Sequence, residues 1–241
     1  MRIAVISDIH GNMESFRQVL DDIGRSNVDG IFCLGDMVGY GPEPEAVVQQ
    51  IQALEIPTVM GNHELGVANP KVLKFFNPLA RRSLQLTTQM LSDDSIRYIC
   101  GLDAARVLKN CRFVHGFPPD AISTYLFQVT DDKIISTFDN LPESICFVGH
   151  THVIEMISFD GRVVMHKALS RGVIPLNTEQ RYIINVGSVG QPRDDDNNAK
   201  YIIWDNKKYE IDVRYIPYDI ESVVSKIIAA GLPESHAFRL R

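Results

Sequence analysis

Side chains that bind metals or move protons follow five separate hydrophobic runs of this sequence, and most of them stand beside a glycine. In chain order they are Asp8 and His10; Asp36; Asn62, His63 and Glu64; His115; and His150 and His152. Five of the seven histidines of the chain belong to this set. Each motif alone is also compatible with a turn aspartate, a helix cap or a surface histidine, but the five together indicate a metal site.

The residue types in this set restrict the chemistry of the metal. Carboxylate, amide and imidazole ligands without a thiolate suit manganese, iron or zinc, and they do not resemble a cysteine-rich structural zinc site. Two aspartates, one asparagine and four histidines are too many ligands for one ion, so the sequence predicts two divalent ions that share one carboxylate. Two ions roughly 3.5–4 Å apart clamp the attacking and leaving oxygens of a displacement at phosphorus and activate a bridging water. We therefore expect hydrolysis through a metal-bridging hydroxide, without a protein nucleophile.

The elements that must position these residues alternate in the first sixty positions. Hydrophobic runs and helical spacing predict a strand at Arg2–Ser7, a helix capped by Asn12, a strand at Gly30–Leu34, a helix at Pro44–Leu54 and a strand at Ile56–Met60. Short links between such elements imply right-handed crossovers and a parallel core. Ligands of open α/β sheets bind outside the carboxyl ends of the strands, which is where the polar residues fall.

The remaining sequence first continues with helices and then becomes rich in strands. Residues 70–110 are predicted to be mostly helical, with helices at Arg82–Leu91 and, capped by Ser92, at Asp93–Ile99. Further predicted elements are strands at Cys111–Val114 and Ser144–Val148, a helix at Thr130–Leu141, a hairpin turning at Asp160-Gly161, strands at Arg181–Val186, Lys200–Asp205 and Lys208–Tyr215, and a helix at Tyr218–Ala230. No linker divides the chain, so we expect one domain over residues 1–241.

Composition excludes several classes of partner. The 241 residues are 45% hydrophobic and 22% charged, with a formal net charge of -6. This acidic balance, without a basic block, argues against long nucleic acid or an anionic membrane as the main partner, but it permits a small phosphorylated substrate. Four separated cysteines, no signal peptide and no apolar segment of membrane-spanning length predict a cytoplasmic protein. We expect no redox or nucleotide cofactor, and the oligomeric state stays open.

The order of the motifs resembles one known family. The motifs D-x-H, G-D, G-N-H-E, a lone histidine after a strand, and G-H-x-H occur in this order and are similar to those of the calcineurin-like metallophosphoesterase superfamily. Longer stretches, among them "FVGHTHV", "NVGSVGQPRD" and "VRYIPYDIESVVSKIIAAGLPE", resemble its small bacterial, diadenosine-tetraphosphatase-like branch. The resemblance implies a four-layer α/β/β/α sandwich of two facing mixed sheets.

The resemblance also implies roles for individual residues. One ion would be held by Asp8, His10 and His152, the second by Asn62, His115 and His150, and Asp36 would bridge both. His63 would stay off the metals as the catalytic residue, stabilising the transition state or protonating the leaving group. An imidazole suits this role because it titrates near neutral pH.

Some residues have two interpretations from sequence alone. Glu64 either orients His63 or is a solvated acid. The glycine-rich stretch before Arg193 either directs amides and that guanidinium at a phosphate or is a tight structural turn. Phe117 and Pro119 stand where the branch has serine and arginine, which predicts an altered substrate preference. His166, His236, Trp204 and the other aromatic residues are expected to be structural.

Three classes of function remain after this reasoning. The leading hypothesis is a phosphoesterase acting on phosphodiester or phosphoanhydride bonds of small substrates, with diadenosine tetraphosphate as a specific candidate. A non-catalytic scaffold of the same fold is a second hypothesis, although every metal position and His63 are present. A nuclease would use the same chemistry, but the acidic charge argues against long polymers.

Overall fold

The computed structural model describes residues 1–241 and contains two β-sheets with helices outside them. The eleven strands are β1 Arg2–Ile6, β2 Gly30–Cys33, β3 Ala105–Leu108, β4 Cys111–Val114, β5 Ile145–Val148, β6 Ile154–Phe159, β7 Val164–Ala168, β8 Gly172–Pro175, β9 Arg181–Val186, β10 Ala199–Asp205 and β11 Glu210–Ile216. The eight α-helices are α1 Met13–Gly24, α2 Pro44–Ala53, α3 Asn62–Ala68, α4 Pro78–Gln89, α5 Asp93–Cys100, α6 Asp131–Asn140, α7 Ile220–Ala229 and α8 Glu234–Phe238. Short 3-10 helices lie at Pro70–Phe75 and Leu126–Gln128.

Both sheets are mixed. The five-stranded sheet has the order β2-β1-β10-β11-β8, and the six-stranded sheet has the order β3-β4-β5-β9-β6-β7. Strand β1 is parallel to β2 and antiparallel to β10, while β4, β5 and β9 run parallel in the second sheet. The parallel core expected from the sequence is therefore split between two sheets, each with one pair or trio of parallel strands.

The side chains of β1 show why four layers form. Successive residues of a strand face opposite sides of its sheet. Ile3 and Val5 pack between the two sheets, against residues such as Phe113, whereas Ala4 and Ile6 pack under α1 and α2 on the outer face. A third cluster packs α6 on the outer face of the six-stranded sheet. The predicted α/β/β/α sandwich is thus confirmed.

Helix boundaries follow local side-chain chemistry. Asn12 Oδ1 accepts a hydrogen bond from Ser15 N at 3.1 Å at the start of α1, and Ser92 Oγ accepts from Ser95 N at 3.2 Å at the start of α5. These side chains satisfy N–H groups that have no partner within the helix. Both predicted caps are confirmed.

The predicted strand Ile56–Met60 is wrong. Only single bridges form there, Cys33 with Thr58 and Val59 with Asp103. Pro57 lacks an N–H group, so a continuous hydrogen-bond ladder with β2 cannot form. The sequence pattern also did not predict β3 and β8, which are short edge strands, or α3 and α8.

Two further observations concern the surface and the cysteines. All four cysteines are free, and three of them, Cys33, Cys111 and Cys146, are buried. None of the helices combines the length and the apolar character needed to cross a bilayer.

Candidate metal centre

The predicted donor residues lie in turns with unusual backbone conformation. Asp8, His10, Asp36, His150 and His152 all have positive φ, between 49° and 68°. This region costs a non-glycine residue about 1–3 kcal/mol, and such strain is concentrated at functional sites. The turns after β1, β2 and β5 are therefore shaped for the side chains they present.

Backbone hydrogen bonds fasten these turns to each other. Asp8 N donates to Gly35 O at 3.1 Å, and His10 N donates to Asp36 O at 2.9 Å. His150 N, which comes from the other sheet, donates to Asp8 Oδ2 at 3.0 Å. The ends of strands from both sheets thus meet at one place.

The first donor group contains Asp8, His10, Asp36 and His152. Their ligand atoms all lie within 4.8 Å of one another, and all four residues are buried. His152 Nε2 is 3.1 Å from Asp8 Oδ1, and His10 Nε2 is 3.6 Å from Asp36 Oδ2. This spacing allows four side chains to reach one ion.

The second donor group contains Asp36, His115 and His150, again within 4.8 Å of one another. Asn62 belongs beside it, because its Oδ1 is 3.2 Å from His115 Nε2, and His115 Nε2 is 3.3 Å from Asp36 Oδ2. Asp36 is shared by both groups. The structure therefore brings all seven predicted ligands together and divides them in the way that the resemblance implies.

Hydrogen bonds at the far side of three rings leave one nitrogen of each ring available for a ligand bond. Nδ1 of His10 is 2.9 Å from Val38 O, Nδ1 of His115 is 2.8 Å from Leu34 O, and Nδ1 of His152 is 2.6 Å from Gln191 O. A carbonyl oxygen only accepts, so each Nδ1 carries a proton, and Nε2 keeps its lone pair whenever the ring is neutral. Histidines that bind metals are oriented in this manner.

Unpaired atoms within the cluster show that a cation fits it. The Nε2 atoms of His10 and His152 are 3.1 Å apart, although both have lone pairs there. Asp8 Oδ1 and His150 Nε2 are buried without a hydrogen-bond partner. Buried polar atoms are normally satisfied, and a cation between such atoms satisfies several at once. The donor set therefore fits divalent ions.

The protonation states of His150, His152 and Asp36 agree with this fit. Burial, assisted by the charge of His115, lowers the pKa of His150 to about 3, and burial with nearby Arg193 lowers that of His152 to about 4. Burial acts to raise the pKa of Asp36, but the charges of His115 and His63 outweigh it and the net pKa falls. Neutral imidazoles and ionised carboxylates are the forms that bind metals. His115 differs, since Asp36 outweighs burial and raises its pKa to about 9.

His63 lies beside the donor cluster in a tight aromatic setting. Its Nε2 is 4.0 Å from Asp36 Oδ2, and its ring meets the rings of His10, Tyr40 and Phe76 edge-on. Gly39 makes room for it, because a Cβ at Gly39 would lie 2.0 Å from His63 Nδ1. Burial lowers the pKa of His63 well below the usual value, so the ring is neutral at pH 7.

Glu64 does not have either role expected for it. Its carboxylate is fully buried and accepts four backbone hydrogen bonds, two of them from Asp36 N at 2.6 Å and Met37 N at 2.8 Å. Its hydrogen-bond partners are backbone N–H groups and do not include the His63 ring. The predictions that Glu64 orients His63 or is a solvated acid are wrong. It instead holds the turn that carries Asp36.

Four further residues for which the sequence made a prediction have defined positions in the structure. Arg193 lines a cavity beside the cluster together with His236 and Tyr40, so His236, which was expected to be structural, lies near the cluster. Phe117 is buried under α6, and Pro119 O accepts from the exposed side of Arg112. Neither replacement faces the cluster, so the expected change of substrate preference has no support at these positions.

Comparison with known proteins gives the class of protein. Residues 1–208 match the family described as the calcineurin-like phosphoesterase superfamily domain. The chain belongs to this superfamily, and the resemblance found in the motifs is confirmed.

Individual relatives extend over nearly the full length. An uncharacterized protein of Methanocaldococcus jannaschii is 36% identical over 238 residues, covering 96% of this chain and 94% of the relative. The crystal structure of a metallophosphoesterase from Sphaerobacter thermophilus has a TM-score of 0.87 and 34% identity, covering 100% of this chain and 98% of that one. A hypothetical protein from Pyrococcus horikoshii OT3 shares the fold, with a TM-score of 0.77, 18% identity and coverage of 99% and 97%.

Proposed function

We propose that this protein is a phosphoesterase that uses two divalent ions to hydrolyse phosphodiester or phosphoanhydride bonds of small phosphorylated substrates. The observation that carries the proposal is the sharing of Asp36 by two buried donor groups. Membership of the calcineurin-like phosphoesterase superfamily supports it independently. Manganese, iron or zinc suits the imidazole, carboxylate and amide ligands.

Two groups of residues would each hold one of the two ions in such a reaction. Asp8, His10, Asp36 and His152 would hold one ion, and Asn62, His115 and His150 would hold the other together with Asp36. Bound there, two divalent ions supply Lewis-acid charge for the phosphoryl oxygens and lower the pKa of water.

His63 is the proposed catalytic residue outside the ligand set. Its Nε2 points to the cluster, and its ring is confined by three aromatic neighbours. A neutral ring whose proton is on Nε2 can donate a hydrogen bond to the leaving oxygen. Its presence beside a complete donor set favours the hydrolase over a non-catalytic scaffold.

A chromogenic phosphodiester tests this function. We expect the manganese-loaded protein to hydrolyse bis(4-nitrophenyl) phosphate. The variant His63→Ala should lose on the order of 10²–10⁴-fold in kcat while keeping its metal content, measured by plasma mass spectrometry. His166→Ala is the matched control, because His166 is exposed and paired with Asp131.

Two outcomes would contradict the proposal. The first is no turnover by the wild-type protein with manganese, iron or zinc. The second is equal turnover by wild type and His63→Ala, which would remove His63 from the mechanism but leave the metal site intact.

A further inference from the structure

Two adjacent cavities lie beside the donor cluster, and together they are called the cleft. One has a volume of about 310 Å³ and the other about 270 Å³. They share a wall made of Tyr40, Asn77, Ala80 and Tyr125. Pockets of such size hold small ligands. The larger cavity is called the aromatic lobe below, and the smaller one the basic lobe.

Aromatic rings line the aromatic lobe, and Phe75 is the exposed one among them. Tyr125 stacks on His150, with ring centroids 3.9 Å apart and an interplanar angle of 18°. Phe75 and Phe76 line the opposite side with Leu65 and Val72. The Phe75 side chain is 79% exposed, although burial of a phenyl ring is strongly favourable. An exposed ring at the mouth of a cleft is suited to stack on an aromatic ligand.

The basic lobe contains two guanidinium groups without an acidic partner. Arg193 and Arg239 line it together with Gln191 and His236. The Nε of Arg193 is buried and has no hydrogen-bond partner, while its Nη2 donates to Gln191 Oε1 at 3.2 Å. Guanidinium groups that line a cleft without a carboxylate partner favour an anionic ligand, above all a phosphate.

A buried lysine pairs with two of the acidic side chains that follow Arg193. Arg193 is followed by three aspartates, Asp194, Asp195 and Asp196. The Lys200 side chain has no exposed surface, and its Nζ is 2.7 Å from Asp194 Oδ1 and 3.6 Å from Asp196 Oδ1. These two carboxylates are therefore neutralised away from the cleft. On the other side, Arg193 N donates to His152 O at 3.2 Å, which ties the loop to the donor cluster.

The positions of the two lobes relative to the two donor groups determine the shape of a molecule that fills the cleft. The aromatic lobe includes Asn62 and His150 of the second donor group. The basic lobe adjoins the first group through the link from Arg193 to His152. A molecule whose phosphorus lies over the cluster would then reach into both lobes, in opposite directions.

We infer that the preferred substrate is a nucleotide with a phosphoanhydride bond, whose base stacks in the aromatic lobe and whose next phosphate binds Arg193 and Arg239. This inference rests on the proposed function and specifies its substrate class. The oxygen of water forms a bond to the phosphorus nearer the nucleoside, and the bond from that phosphorus to the bridging oxygen breaks. The leaving phosphate keeps the electron pair of this bond, and at neutral pH one proton passes to solvent.

Substitution of each arginine tests the basic lobe. For Arg239→Gln and Arg193→Gln, we expect kcat/KM for ADP to fall about 10- to 100-fold, the value of one charge-assisted hydrogen bond. The ratio of kcat/KM for ADP to that for bis(4-nitrophenyl) phosphate should fall at least about tenfold, because the diester has no second phosphate. Arg17→Gln on the exposed face of α1 is the matched control and should leave both values unchanged.

Substitution of Phe75 tests the aromatic lobe. For Phe75→Ser, the ratio of kcat/KM for ADP to that for inorganic pyrophosphate should fall about 5- to 100-fold, since stacking of one base contributes this much. Calorimetric titration of ADP into the metal-loaded His63→Ala protein measures binding in a variant whose turnover is slow. There, addition of Arg239→Gln should weaken binding, while circular dichroism confirms that each variant is folded.

The results separate two kinds of failure. No hydrolysis of any substrate by the wild-type protein would overturn the proposed function. Hydrolysis of the aryl diester, with both substrates affected equally by the arginine variants and with unchanged ADP binding, would leave the phosphoesterase standing and overturn the assignment of the two lobes.

Discussion

Replacing Gly39 with alanine is expected to remove most of the activity without removing the metals. The added Cβ would lie 2.0 Å from His63 Nδ1, whereas ordinary contact begins at 3.4 Å. The ring must therefore move by about 1.4 Å. It cannot simply rotate away, because Tyr40 and His10 stand at centroid distances of 4.6 and 4.8 Å. A misplacement of about 1 Å at a catalytic group can cost on the order of 10²-fold in rate.

The same substitution also strains the backbone, and a second glycine separates the two effects. Gly39 has φ of 87° and Gly161 has φ of 90°, but nothing lies within 4 Å of a Cβ at Gly161. Both alanine variants should lose about 1–2 kcal/mol of unfolding free energy from the left-handed conformation. Only Gly39→Ala should lose about 100-fold in kcat.

The assay combines three measurements on each variant. These are kcat with bis(4-nitrophenyl) phosphate, metal content by mass spectrometry, and urea denaturation. If Gly39→Ala kept kcat within about threefold of wild type while His63→Ala did not, the packing argument would be refuted. Equal loss of activity in Gly161→Ala would show that strain, and not contact with His63, is the cause.

Three other substitutions test the donor cluster and its supports. Asp36→Ala removes the ligand common to both groups, so the metal content of the purified protein should fall from two ions to at most one; a full complement would contradict the sharing. Glu64→Gln places an amide N–H₂ against backbone donors and loses about two charge-assisted hydrogen bonds. The free energy of unfolding in urea should therefore fall by about 3–6 kcal/mol. A fall below about 1 kcal/mol would exclude the role of Glu64 in holding the turn that carries Asp36. Burial acts to raise the pKa of Asp22, but hydrogen bonds from Arg214 and Tyr201 hold it below the usual value. The stabilisation by Asp22 should be complete above an unfolded pKa of about 3.9 and be lost as the pH falls through the lower folded pKa. Asp22→Asn should therefore lower the free energy of unfolding by about 1.5–3 kcal/mol at pH 7 and by progressively less below pH about 4. A pH-independent difference between the variant and the wild type would speak against the ion pair.

The donor cluster could be predicted because its signal is local. Each donor follows a hydrophobic run, and the carboxyl end of a strand is fixed by that run alone. Asp8, for example, needs only the end of β1 and the turn after it to reach its place. The sequence did not show that β1 and β5 belong to different sheets, since strand pairing depends on contacts far apart along the chain.

The cleft could not be predicted for the same reason. Tyr40, Phe75 and Tyr125 meet only after folding, and no spacing along the chain joins them. Arg239 lies 46 positions after Arg193, so the two guanidinium groups never formed a basic run. Glu64 was misread because an acid beside a histidine gives no indication of the four N–H groups that the fold places around it.

The meeting of two sheets at the donor cluster has a mechanical consequence. His10 and Asp36 extend from the five-stranded sheet, whereas His115 and His150 extend from the six-stranded sheet. Ions held between them would act as cross-links, so sliding of one sheet over the other would break coordination bonds. We expect amide hydrogen exchange to show the sheets opening together in the loaded protein and separately after chelation.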